Sequence, residues 1–234
     1  MKKIAILQSN YIPWKGYFDM INMVDEFILY DDVQYTKNDW RNRNQIKTSQ
    51  GVKWITIPVR QTGLSQLIKE TKVQDKRWRK KHWATISQTY AKAKYFKKYK
   101  DIFEKLYLDD DEEYLSQINY KFIMAINEIL GIKTKIRWSS EFDYGEGQTE
   151  KLLKICQACD ADIYINGPAA KDYFDEELFN KNNIQVEWMD YNGYPEYNQL
   201  FPPFEHGVSI IDLIFNEGSN ATKYMKSFEV KVAK

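Results

Sequence analysis

Four apolar residues near the start of the chain, Ile4-Ala5-Ile6-Leu7, are cut off by Gln8-Ser9-Asn10. A strand over Lys3 to Gln8, a turn at Pro13, a helix from Lys15 to about Val24 and a second strand, Glu26 to Tyr30, follow within the first thirty residues. Strand, helix, strand at this spacing is a βαβ unit, and such units build parallel sheets covered by helices on both faces. An α/β fold with a mostly parallel, Rossmann-like sheet is therefore expected. In such sheets ligands bind beyond the carboxyl ends of the strands. Here those ends carry Gln8-Ser9-Asn10-Tyr11 and Asp31-Asp32-Val33-Gln34.

Further along, Lys53 to Val59 reads as a strand whose Pro58 places its end near an edge or a bulge. From Lys76 the pattern turns helical, with Lys, Arg and aromatic residues interleaved, until Gly131 stops a long helix. Alternation then resumes with a strand over Ile132 to Trp138, a helix over Thr149 to Cys159, strands over Asp162 to Ile165 and Ile184 to Met189, and a helix over Ser209 to Asn216. One α/β domain over residues 1–234 is expected, with a mostly helical insertion at about 76–131. The acidic run Asp109 to Glu113 reads as capping and solvated charge at a helix start.

Bulk properties narrow the function class. Lys+Arg 34 against Asp+Glu 33 leaves a net charge of +1, so no global field favours DNA or a membrane surface. No stretch approaches the roughly 20 apolar residues of a membrane-spanning helix, and a cytoplasmic setting is the expectation. The first apolar run is too short for a signal peptide. Cys156 and Cys159 stand alone as a C-x-x-C pair late in a helix and read as packing residues, since a zinc site wants four ligands.

Two segments concentrate chemistry. Gln8-Ser9-Asn10-Tyr11-Ile12-Pro13-Trp14-Lys15-Gly16-Tyr17 ends a strand and opens a helix, where unpaired N–H groups suit an anion. Gly16 is read as leaving room for a ligand or a second backbone. This layout is similar to the strand-turn-helix of nucleotidylyltransferases, whose H-x-G-H motif is replaced here by Trp14-Lys15-Gly16-Tyr17, with neither histidine. In the second segment, Asp31 to Lys47, one of two adjacent carboxylates can act as a base or hold a magnesium ion. Gln34, Lys37, Asn42, Arg43, Asn44 and Lys47 offer donors for phosphate, carboxylate or sugar hydroxyls, and a binding loop is the reading preferred.

The runs Gln8-x-Asn10-Tyr11-x-Pro13-Trp14-x-Gly16-Tyr17-Phe18, Asp31-Asp32-Val33-Gln34-Tyr35, Asn42-Arg43-Asn44-x-Ile46, Trp78-Arg79-x-x-His82, Asp172-Tyr173 and Ser209 to Asn216 together resemble the WbqC-like family. That resemblance spans nearly the whole chain. It implies a place in bacterial surface-polysaccharide and O-antigen synthesis, with transfer of glycine to the amino group of a dideoxyaminosugar as one role. It also brings Asp172 and Tyr173 into the candidate binding set.

Amine acylation needs a base, donors for a tetrahedral oxyanion and a sugar slot. Asp32 and His82 are candidate bases, and His206, in a Pro-rich loop before the last helix, is another. The basic helical stretch around Lys76 to Lys100 is a candidate grip for a nucleotide-sugar diphosphate, a carrier's phosphopantetheine or an aminoacyl-tRNA. Motifs for serine nucleophiles, Walker-type phosphate loops and zinc hydrolysis are missing. The leading expectation is transfer of a small acyl or aminoacyl group, glycyl among them, to a nucleotide-linked aminosugar. A degenerate nucleotidylyltransferase and a non-catalytic sugar-nucleotide or carrier-binding module are the alternatives. No motif for a tightly bound cofactor is present.

Overall fold

The computed structural model describes residues 1–228. Strands β1 (Lys3–Leu7), β2 (Glu26–Leu29), β5 (Lys135–Trp138), β6 (Ile163–Asn166) and β7 (Gln185–Trp188) form one sheet in the order β5-β2-β1-β6-β7. Every pairing in it is parallel. The first apolar run is thus the central strand, with Ala5 paired to Phe27 on one side and to Ile165 on the other.

Period-two alternation divides the core in two. Ala5, Phe27, Leu29, Ile163 and Ile165 face the larger core, which also holds helix α1 (Lys15–Asn22). Ile4, Ile6, Ile28, Tyr164 and Val186 face a second core closed by α5 (Thr149–Ala158) and α6 (Glu176–Lys181). Cys156 and Cys159 are buried in this second core. Burial pushes both thiols up, so neither is poised as a thiolate.

Between β2 and β5 the chain builds an antiparallel hairpin, β3 (Arg43–Thr48) and β4 (Gly51–Thr56), then helices α2 (Arg77–Tyr90), α3 (Phe96–Leu108) and α4 (Leu115–Leu130). Arg43 to Lys47, read from sequence as loop, is therefore strand. Asn44 and Ile46 are buried while Arg43 and Gln45 are partly exposed, and a polar residue at an inward position hides the alternation. Gly131 ends α4 at φ 74, a left-handed cap. The acidic run ahead of α4 does more than solvate a helix start. Asp110 accepts from Lys121 Nζ at 2.6 Å and from Arg79 at 3.4 Å, and the buried Arg79 also donates to the Leu106 and Glu112 carbonyls.

From β1 the chain passes to β2 and β5 on one side, then crosses back to β6 and β7 on the other. This reversal opens a crevice between the carboxyl ends of β1 and β6. Helix α7 (Ile210–Glu217) starts beside the β1–α1 turn, where the Ile210 N–H donates to the Pro13 carbonyl at 2.9 Å. Among the described residues no helix is long and apolar enough to cross a membrane.

Candidate functional site

The crevice encloses about 360 Å3, within the range of roughly 300–1,000 Å3 usual for small-molecule sites. Gln8 lines it from the end of β1, Tyr30 from the end of β2 and Asn166 from the end of β6. Tyr173 and Phe174 form another wall, and Tyr173 is 63% exposed. Thr149 and Lys151, in the first turn of α5, complete it. No side chain caps that helix start, and the Glu150 carboxylate stands in its first turn, beside the positive end of the helix dipole. The loop leading into it holds Gly147 at φ 96, with the Glu150 side chain filling the space a Cβ would take. Glycine adopts this left-handed conformation without strain, whereas any side chain here is strained.

Adjacent carboxylates at the end of β2 serve different ends. Asp31 turns inward and accepts from the Ser9 N–H at 2.8 Å and from the Ser116 hydroxyl. Burial pushes its carboxyl above the ordinary range, against these hydrogen bonds. Asp32 points the other way, accepting from Ser139 at 2.5 Å and pairing with Lys69. It lies beside Tyr144, whose hydroxyl is pushed up by burial first and by the Asp32 charge second. Tyr144 packs edge-on against the crevice residue Tyr30, with ring centroids 6.2 Å apart. Asp32, unlike Asp31, thus lies on the side of Tyr30 and Tyr144, behind the crevice wall and not in its lining.

His82 sits in the interior. Its Nε2 lies 3.1 Å from the Thr56 carbonyl and must be the donor there, so Nδ1 accepts from the Tyr11 hydroxyl at 2.9 Å. Tyr11 in turn accepts from Tyr107 at 2.6 Å. Desolvation lowers the ring to about 4, and it is neutral at physiological pH. Tyr17 is buried and donates to the Gln8 carbonyl at 3.0 Å.

A second hollow, of about 290 Å3, is lined by Asn10, Pro13, Trp14, Trp40, Asn44 and Gly207. The Asn10 Oδ1 is buried there without a partner among the described residues. Asn44 Nδ2 donates to the Tyr11 and Ile12 carbonyls, each at 3.0 Å, and its oxygen accepts from the Gln45 N–H at 2.7 Å. It clamps a strained turn, because Ile12 is held at φ 38, rare for a β-branched residue. At Gly16 the space is taken by the Trp14 indole, not by a ligand. Next to it Lys15 is buried, donating to the Pro195 carbonyl at 3.2 Å beneath the Tyr194 and Tyr197 rings. Desolvation lowers its ammonium to about 8. His206 is exposed on the neighbouring loop, packed on Phe204, and lowered first by desolvation and then by the Lys15 charge.

The remaining candidates scatter. Asn42 is buried and donates to the Ile57 carbonyl at 2.9 Å, and Arg43 lies over the Trp54 ring at 4.2 Å. Lys47 is buried in β3, whereas Gln34, Lys37 and Asp172 are exposed and line neither hollow. The crevice also uses Tyr30, Asn166, Gly147 and Lys151, none of which stood out in the sequence. Gly145-x-Gly147 ahead of a helix was the one available signal.

A parallel sheet with an aromatic-walled crevice at its switch point defines an α/β protein of Rossmann-like type. The chain belongs to the WbqC-like protein family, which it matches over residues 8–224. It is 48% identical over 227 residues to an uncharacterized protein of Mycobacterium tuberculosis, a match covering 97% of this chain and 98% of that one. No solved structure matches it.

Proposed function

We propose that this protein transfers a small acyl or aminoacyl group, glycyl among the candidates, to the amino group of a nucleotide-linked aminosugar. The observation that carries the reading is the switch-point crevice. Its amides at Gln8 and Asn166 suit sugar hydroxyls, its tyrosines suit a ring face, and the uncapped α5 N-terminus with Lys151 suits a diphosphate. Asn166 supports this use, since its Oδ1 accepts from the Gly167 N–H at 2.8 Å and its NH2 has no partner among the described residues.

Asp32 is the base in this scheme. Asp31 is sealed by Ser9 and Ser116 and His82 has both ring nitrogens engaged, whereas Asp32, held by Ser139 and Lys69, lies behind the crevice residue Tyr30 and is the carboxylate nearest the crevice of the two at the end of β2. The amine attacks the acyl carbon, the departing ammonium proton passes to the carboxylate, and the leaving group takes the electron pair of the broken acyl bond. Asn10 and Trp14, at the start of α1, line the second hollow, and in this scheme the acyl oxygen is held there. Association with surface-polysaccharide synthesis in the cytoplasm follows from this acceptor.

Incubation with nucleotide-linked aminosugars and activated glycyl or acetyl donors, read by mass spectrometry, tests the scheme. Product carrying one added acyl group is expected, and Asp32→Asn is expected to lose turnover while still binding the acceptor. Tight acceptor binding with no product from any donor would leave the protein a binding module.

A further inference from the structure

The net charge of +1 conceals a division along the chain. Residues 76–100 hold ten of the 34 Lys and Arg and none of the 33 Asp and Glu, which leaves the rest of the chain acidic, at 24 against 33. Some of these cations serve the fold. Lys76 pairs with Asp111 at 2.8 Å, Arg77 with Asp75 at 2.6 Å, Arg79 with Asp110 at 3.4 Å and Lys100 with Asp101 at 2.7 Å. Lys92, Lys94, Lys97 and Lys98 do not. They cluster at the corner where α2 turns into α3, all four are exposed, and none has a carboxylate within 4.0 Å among the described residues.

Nothing in the fold asks for charge of this sign at the corner. Lys97 and Lys98 stand in the first turn of α3, where the helix dipole favours acids, and no side chain caps that start. Helix α6, by contrast, opens on Glu176 and Glu177 behind an Asp175 cap. The acids that follow in α3 are engaged, Asp101 with Lys100 and Glu104 with the Trp83 indole at 3.1 Å. Lys94 and Lys98 rest on the Tyr95 and Tyr99 rings, at 5.2 and 5.0 Å, which hold both ammonium groups in place without neutralising them. Such a corner draws an anionic partner.

Its surroundings favour a protein over a nucleic acid. Trp83, Phe96 and Tyr99 are buried and offer no ring face to a base. Ile102, one turn beyond Lys98 on the same helix face, is 39% exposed, and an apolar contact inside a charged rim is the pattern of a protein interface. The corner also stands close to the second hollow. The Lys47 N–H donates at 3.3 Å to the hydroxyl of Tyr90, the last residue of α2, and about 10 Å of strand β3 separates Lys47 from Asn44 in the hollow's lining.

Resting on the transfer reading above, we propose that this corner docks an acidic carrier protein that presents the acyl or aminoacyl group as a thioester. Carboxylates of the carrier meet the four lysines, and an apolar side chain covers Ile102. In the transfer the acceptor amine attacks the thioester carbon and the C–S bond breaks. Sulfur leaves with the electron pair, and the proton lost by the amine ends on the thiol.

Fluorescence anisotropy with a labelled acidic acyl carrier protein, in its holo form, tests the docking without acceptor or turnover. The transfer assay with small activated donors stands apart from it, so either can fail alone. Binding is expected, weakened at least about tenfold by Lys94→Glu/Lys97→Glu and by Ile102→Asp. The same charge change at exposed lysines outside the corner, Lys133→Glu/Lys181→Glu, is expected to leave affinity within about twofold. The milder Lys94→Gln/Lys97→Gln, which keeps two uncharged side chains in place, is expected to lose about threefold. Unstructured polyglutamate and duplex RNA are expected to bind at least about tenfold more weakly than the carrier protein. The proposal is overturned if the carrier protein does not bind, if polyglutamate or duplex RNA binds as tightly, or if binding survives both lysine variants unchanged.

Discussion

Residues of one sequence motif divide here between two regions that treat polar groups in opposite ways. In the interior behind the β1–α1 turn, Tyr11, His82 and Tyr107 pass hydrogen bonds from one to the next and Asp31 is capped by Ser9 and Ser116. In the crevice three residues away, Gln8, Asn166 and Tyr173 present polar groups that the protein leaves open. The interior holds the turn in a strained shape, and Asn10, Pro13 and Trp14 of that turn line the second hollow. A motif residue is therefore as apt to be scaffold as to be site, and only the count of its internal partners tells which.

That division is open to attack by mutation. The largest effect is expected at Asp31→Ala, which strands the Ser9 N–H and the Ser116 hydroxyl in the core and should cost about 4 kcal/mol in urea unfolding. A loss below about 1 kcal/mol would move Asp31 from scaffold to site.

The His82 ring gives the next effect. Its folded value of about 4 lies below the ordinary 6.5, so the unfolded chain binds the proton first as pH falls. The stability it contributes is present above pH 6.5 and is lost on the way down to about 4, some 3 kcal/mol in all. Unfolding curves at pH 7 and pH 4 measure it, and His82→Gln should remove most of that pH dependence. In the crevice the pattern inverts. Tyr173→Ala should weaken acceptor binding about tenfold, or about 1.4 kcal/mol, while leaving unfolding within about 0.5 kcal/mol of the parent. Smallest is Gly147→Ala, expected to cost about 1 kcal/mol in stability and to shift the loop that opens α5, because φ 96 disfavours any side chain and Glu150 occupies the space. Equal stability in this variant would show that the loop has no fixed shape.

Much of the sheet was legible because β1, β2 and β6 are largely apolar runs buried on both faces, and the edge strand β7 still shows one buried residue, Val186, between polar neighbours. Strand β3 was not, since Asn44 stands inward where an apolar residue would mark the period, held by its bonds to the Ile12 turn. The candidate site was legible at β1 and β2, whose ends turn polar abruptly. Its far wall was hidden, because Asn166 ends a strand more than 150 residues away and only the strand order places it beside Gln8. Lys15 was passed over for a similar reason. Its desolvation comes from Tyr194 and Tyr197, which the sequence keeps far from it.

A crystal structure with a nucleotide-linked aminosugar tests the central claim most directly. Density for the sugar between Gln8 and Asn166, with the diphosphate at the start of α5, is the result this account predicts. Ligand density elsewhere on the molecule, with the crevice between β1 and β6 left empty, would contradict it.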